Sequence, residues 1–167
     1  MLILGDVLAV VASLFGICLS AWATLLAFSL LFPDRAERAA ESIKVSPTRM
    51  GLLGAVLTFV LLFTAIVLLK NPLPLVKLIG WFALLSNLSL GALGCSGLAM
   101  VMAGRVKQHE PQLSAYAALM RGAALVVVPG ILPIFGWFLI APLVLIVGVG
   151  AGTRALRLAP AATVVQG

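Results

Sequence analysis

Residues 126–153 read VVVPGILPIFGWFLIAPLVLIVGVGAGT. The stretch carries no charge, is broken at Pro129, Gly130, Pro133, Gly136 and Pro142, and ends in the ladder Gly148, Gly150, Gly152. A single helix from Gly122 to Thr153 would be about 48 Å long, against a hydrocarbon core of roughly 30 Å. A turn at residues 129–133 would divide it into two arms. The choice decides whether the chain has four membrane segments or five, and on which side of the membrane it ends.

Composition places the chain in lipid. Of its 167 residues 63% are hydrophobic and 10% charged, far from a soluble mixture. Spans of about 20 apolar residues remove the difficulty of hiding that surface from water. The net charge of +6 would suggest nucleic acid in a soluble protein. Here the bases stand in short loops between apolar runs, the pattern of topology determinants and anionic-lipid contacts, and no nucleic-acid partner is expected. Cys18 and Cys95 both lie inside apolar runs and have no metal-site spacing, so neither a disulfide framework nor a metal site is expected.

The expected fold is an all-α integral membrane protein, an antiparallel helix bundle forming one transmembrane domain over residues 1–167. Its segments are read at about 7–32, 50–69, 78–102, 111–128 and 134–153. The first begins after Asp6. Ala21-Trp22-Ala23 has the look of a signal-peptide cleavage site, but no basic region precedes it and apolar residues continue beyond it, so a retained span is expected. Ala9, Ser13, Gly16, Ser20, Ala23 and Ala27 recur at spacings of three and four. They place small residues on one face, where another helix can approach closely.

Pro33 ends that span. In the following DRAERAAESIKV, Asp34 and Arg38 stand four apart, Glu41 and Lys44 three apart, and Ala36, Ala39, Ala40 and Ile43 share a face. The pattern predicts a short amphipathic helix near the membrane surface, with a solvated connector as the plainer alternative. Ser46-Pro47 predicts an N-cap and a first helical residue. Residues 70–74 are a tight connection. The third span carries Ala83, Asn87, Gly91, Cys95, Ala99 and Ala103 in an unbroken row at i+4, a packing surface in which Asn87 is expected to hydrogen-bond to another helix or, less commonly, to meet a ligand. Residues 104–110 predict a polar loop. Pro111 opens a helical pattern reaching Val128 with one charge inside it, Arg121, where an unpaired charge costs about 2.5–3.5 kcal/mol on insertion scales. Arg121 must snorkel, find a partner, or lie in a hairpin that enters part-way.

Charge distribution arbitrates the topology. With four spans the eleven bases divide seven to four across the membrane; with five they divide nine to two, the smaller group being Lys70 and Lys77. The positive-inside rule favours five, with the N-terminus outside and the C-terminus inside.

The run Leu31-Phe32-Pro33-Asp34-Arg35-Ala36-Glu37-Arg38-Ala39-Ala40, with Pro133-Ile134-Phe135-Gly136-Trp137 and Gly148-Val149-Gly150-Ala151, resembles the membrane module attached to some bacterial bactofilin-type polymer-forming proteins. In those proteins a β-helical domain precedes the first span. Here Met1 stands directly ahead of the span and that domain is expected to be absent. The resemblance implies an anchor or scaffold in a bacterial cytoplasmic membrane and carries over no catalytic residue.

No catalytic or cofactor chemistry is expected. The spans contain no imidazole for haem and no carboxylate for a proton relay, and phosphate-cradling loops, zinc motifs and activated nucleophiles are missing from the sequence. The reading is a non-catalytic accessory or scaffold subunit, packing against other transmembrane helices, its own or a larger complex's, through Ser13, Gly16, Ser20, Asn87, Gly91, Cys95, Gly148 and Gly152. The alternative is a small transport component using the broken segment 129–142 and Arg121. Pigment or lipid binding through apolar grooves is a third class that residue types do not report. The topology makes a direct prediction. With Cys18 and Cys95 replaced by serine, single cysteines in place of Ser42 and Thr153 should both label only from the cytoplasmic side; labelling of Thr153 from outside would restore four spans.

Overall fold

The structure is a computed structural model and describes residues 2–132 and 135–157. Pro133, Ile134 and the tail after Arg157 lie outside them, and with them the start of the fifth expected segment. The described residues form helices only: α1 (Leu2–Leu31), α2 (Pro33–Val45), α3 (Pro47–Leu69), α4 (Pro74–His109), α5 (Ala115–Val127), a 3₁₀ turn (Val128–Ile131), a π-helical turn (Gly136–Ile140) and α6 (Ala141–Arg157). Four stretches are long and apolar enough to cross a membrane: Gly5–Leu31, Pro47–Leu69, Pro74–His109 and Gly136–Arg157. Ala115–Ile131 is apolar but shorter.

Prolines set the boundaries. Pro33, Pro47 and Pro74 each stand at the start of a helix, where the missing N–H is an orphan in any case. Ser46 occupies the N-cap position of α3 without a side-chain capping bond, so proline alone marks that start. Between α3 and α4, Asn71 Oδ1 accepts from the Leu73 N–H at 3.1 Å, closing the short turn.

Several boundaries differ from those expected: α1 is helical from Leu2 rather than from about residue 7, and α4 starts at Pro74 rather than at about residue 78. The loop at 104–110 is helical as far as His109, because Gly104 alone does not break a helix; α4 ends at Glu110, whose position before Pro111 disfavours helical backbone. The helix expected from Pro111 starts instead at Ala115. Ser114 is its cap, accepting from the Ala117 N–H at 3.2 Å.

The centre of the bundle is α6 passing between α3 and α4. On one side a methyl added to Gly150 would strike the Met50 carbonyl, and one on Gly54 the carbonyl of Ile146. On the other side Gly94 lies against Gly148, and Gly152 against the Leu90 carbonyl. These helices touch through their backbones, which maximises dispersion contact where lipid supplies no hydrophobic drive between helices.

The short amphipathic helix is present, and it is packed. Ala36, Ala39, Ala40 and Ile43 of α2 are buried. Ala39, Ala40 and Ile43 form one cluster with Val101 of α4 and with Ala151 and Ala155 of α6. Gly97 admits the helix, since a methyl there would lie 2.6 Å from the Ala39 Cβ. Hence α2 and the last turns of α6 occupy the same end of the bundle. α5 leans on α4 through Gly122, which faces Ala99 and Ala103.

α1 stands apart. It is joined near its C-terminal end, where Leu25 and Leu26 pack with Cys95, Ala99, Leu119 and Ala123, and Trp22 Nε1 donates to the Met120 carbonyl at 3.0 Å. None of residues 5–24 is buried.

The glycine seam predicts an asymmetric response. Gly150→Val places a branched side chain against immobile backbone and should lower stability by about 1–3 kcal/mol or more. Gly104→Ala, at a helical position with nothing within 4 Å of an added Cβ, should be neutral or stabilising by up to about 1 kcal/mol. Unfolding by SDS in mixed micelles, followed by circular dichroism, measures both; equal effects would contradict the packing.

Candidate intramembrane groove

The small residues singled out in the sequence divide into two groups. Gly91 and Cys95 on α4 meet Gly148 on α6, and Gly152 meets the neighbouring Leu90 and Gly94. A methyl on Gly148 would lie 2.7 Å from the Cys95 Sγ and 2.8 Å from the Gly91 carbonyl oxygen, while the Cys95 thiol donates to the Val144 carbonyl at 3.5 Å. Their smallness is used within the chain.

Ser13, Gly16 and Ser20 on α1 are exposed. They form one wall of a groove with a volume of about 970 Å³. Gly91, Ala92 and Cys95 of α4 form its back, and Val126, Trp137, Val144 and Leu145 close the side opposite α1. A Cβ added to Gly16 would find nothing within 4 Å. The space lies beside the part of α1 that precedes its Leu25 and Leu26 contacts, where residues 5–24 include no buried position.

The broken segment supplies the far wall. After α5 the chain tightens into the 3₁₀ turn and returns so closely that a methyl on Gly136 would strike the Pro129 carbonyl. The Gly136 N–H donates to the Leu132 carbonyl at 2.8 Å, and Trp137 Nε1 donates to the Gly130 carbonyl at 3.1 Å, pinning the two arms together. The π-helical turn that follows ends at Ala141, whose N–H reaches back to the Gly136 carbonyl, one residue immediately before Pro142. Proline lacks an N–H and its ring would press on the preceding turn, so a widened turn there accommodates it.

The remaining two singled-out residues lie away from the groove. Asn87 is 5% exposed, yet its Oδ1 has no hydrogen-bond partner, and the same holds for Thr58 Oγ1 on α3. The interhelical hydrogen bond expected of Asn87 is thus not made through that oxygen. Arg121 has found a partner: its Nη1 donates to Glu110 Oε2 at 2.6 Å, both side chains being about half exposed, 52% and 56%. Glu110 is the C-cap of α4, so this charge, from the middle of α5, is held by the end of the preceding helix.

The groove is lined mainly by apolar side chains. Ser13 Oγ donates to the Ala9 carbonyl at 2.8 Å and Thr24 Oγ1 to the Ser20 carbonyl at 2.7 Å. The Trp137 indole and the Cys95 thiol are likewise committed to backbone, which leaves the Ser20 hydroxyl and the Cys18 thiol as the lining's other polar groups, and no charged side chain lines the space among the described residues. Among those residues no group of three or more His, Cys, Asp or Glu is placed to hold a metal ion. The groove walls contributed by Leu88, Ala92, Val126 and Leu145 had no distinguishing mark in the sequence. Trp137, set between a Pro-Gly break and a proline, did carry one.

A half-exposed ion pair contributes little. A double-mutant cycle of Arg121→Ala and Glu110→Ala should give a coupling of about 0.2–1 kcal/mol; a value of several kcal/mol would place the pair in a dry environment. In comparisons with known proteins the chain matches no family model, no curated protein and no solved structure.

Proposed function

We propose that this chain is a non-catalytic integral membrane protein acting as an accessory or scaffold subunit, with α1 as the helix it offers to other membrane polypeptides. The observation that carries the reading is the one-ended attachment of α1. Its residues 5–24 have no buried position on any side, whereas α4 and α6 are buried along their shared seam. An apolar helix so little used by its own chain is suited to packing with another polypeptide. Val11, Phe15 and Leu19 are exposed on it and do not line the groove.

Five membrane segments agree best with this geometry. α2 packs on the end of α6, which fits one cytoplasmic face for both. The Arg121–Glu110 pair fits the edge of the hydrocarbon, leaving residues 122–131 to enter about 15 Å, half of a core of roughly 30 Å. On that reading α5 and α6 form a hairpin whose first arm does not cross fully. The N-terminus is then outside, the C-terminus inside, and nine of the eleven bases face anionic head groups of a bacterial cytoplasmic membrane at about 1 kcal/mol for each well-placed base. Solute transport draws less support, since Arg121 is paired outside the groove and most of the groove's donors, those of Ser13, Thr24, Trp137 and Cys95, are engaged with backbone.

Photo-crosslinking distinguishes these cases. A photoreactive amino acid in place of Val11 or Phe15 should yield polypeptide adducts of discrete mass in native membranes, while one in place of Phe59, on the exposed face of α3, should yield lipid adducts alone. Identical behaviour at all three positions would remove the basis for α1 as a partner surface.

A further inference from the structure

We propose that the groove between α1 and α4 is a binding site for the hydrocarbon chain of a membrane lipid. Three features select that occupant. The first is polarity. The lining carries no charge among the described residues; the hydroxyls of Ser13 and Thr24, the Trp137 indole and the Cys95 thiol donate to backbone carbonyls, and only the Ser20 hydroxyl and the weakly polar Cys18 thiol are left over. A polar solute would leave its water for a surface that returns few hydrogen bonds, whereas a hydrocarbon gives up nothing.

The second feature is the closed end. Leu25, Cys95, Val126, Val127 and Val144 line the groove and also belong to, or pack against, the cluster that ties α1 to α4 and α5. The groove therefore stops on packed side chains. A partner helix that crosses the membrane needs a continuous path of roughly 30 Å, and this floor interrupts it. A flexible chain that terminates inside the bilayer meets no such obstacle.

The third is length. The α1 residues that line the groove run from Ser13 to Leu25, about 18 Å of helix, close to the roughly 15 Å depth of one leaflet. The volume of about 970 Å³ lies at the upper end of the range of about 300–1,000 Å³ common for small-molecule sites. The site takes the tail, and the head group stays in the interface.

The test uses the full-length protein reconstituted in phosphatidylcholine vesicles that contain phosphatidylcholine with a diazirine at the middle of one acyl chain. Adducts are mapped by mass spectrometry after illumination. In the wild type, Ala92 and Leu145 on the inner walls should be labelled, together with Phe59 on the outer face of α3. In Gly16→Phe, whose ring enters open space rather than a packed contact, labelling of Ala92 and Leu145 should be lost while that of Phe59 stays. Gly5→Phe, outside the groove, should label as the wild type does. Labelling of Phe59 without Ala92 or Leu145 in the wild type overturns the proposal, and so does equal labelling of wild type and Gly16→Phe. A photoreactive amino acid in place of Ala92 or Leu145 that yields a polypeptide adduct in native membranes would assign the groove to a helix instead and overturn the proposal. Lipid in the groove and a polypeptide on Val11 and Phe15 engage different faces of α1, so either result can fail alone.

Discussion

Everything in this bundle rests on α6 being thin enough to pass between two helices at backbone distance. A helix turns by about 100° per residue, so Gly148 and Gly152 share a face while Gly150 points nearly the opposite way. The ladder GVGAG thus strips the side chains from both faces of one short stretch. α3 and α4, already joined by their tight turn, close on it from either side with Gly54 and Gly94. In lipid, where burying a leucine against another leucine gains little over burying it in acyl chain, this closeness is the main source of helix association. α2 then finds a floor made jointly by α4 and α6, and α5 finds Ala99 and Ala103 on the remaining side of α4.

Much of this architecture was legible in the residues. Apolar runs located the long helices, Ser46-Pro47 located the start of α3, and Ala36, Ala39, Ala40 and Ile43 announced a shared face on α2. The row through Gly91 and Cys95 and the glycine ladder each announced a smooth surface, without saying that the two belong together. The extension of α4 to His109 was missed because polar residues were read as loop, although nothing in GRVKQH stops a helix. The reading of a helix from Pro111 takes no account of Ser114, whose side chain caps α5 three residues later. Both errors concern polar ends, where local capping outweighs hydropathy.

The groove was beyond reach for a different reason. On the page, Ser13, Gly16 and Ser20 look like the row on α4, and both rows are surfaces at which a backbone can approach. What separates them is the direction in which α1 leaves the bundle, a property of the Trp22, Leu25 and Leu26 contacts and of the returning turn at Gly130 and Gly136. The same small residues therefore yield a tight seam in one place and open space in the other. Periodicity reports that a face is smooth; it carries no record of what lies opposite.

The one-ended attachment of α1 also has a mechanical side. Its apolar stretch, Gly5–Leu31, has 27 residues and is about 40 Å long, so crossing a bilayer core of roughly 30 Å would require it to tilt. α3 is shorter and is gripped by α4 and α6. A change in bilayer thickness would therefore bear mainly on the angle of α1, with the Leu25 and Leu26 contacts as its pivot. Since that angle would set the distance from Gly16 to Gly91, the aperture of the groove would follow the thickness of the membrane around it.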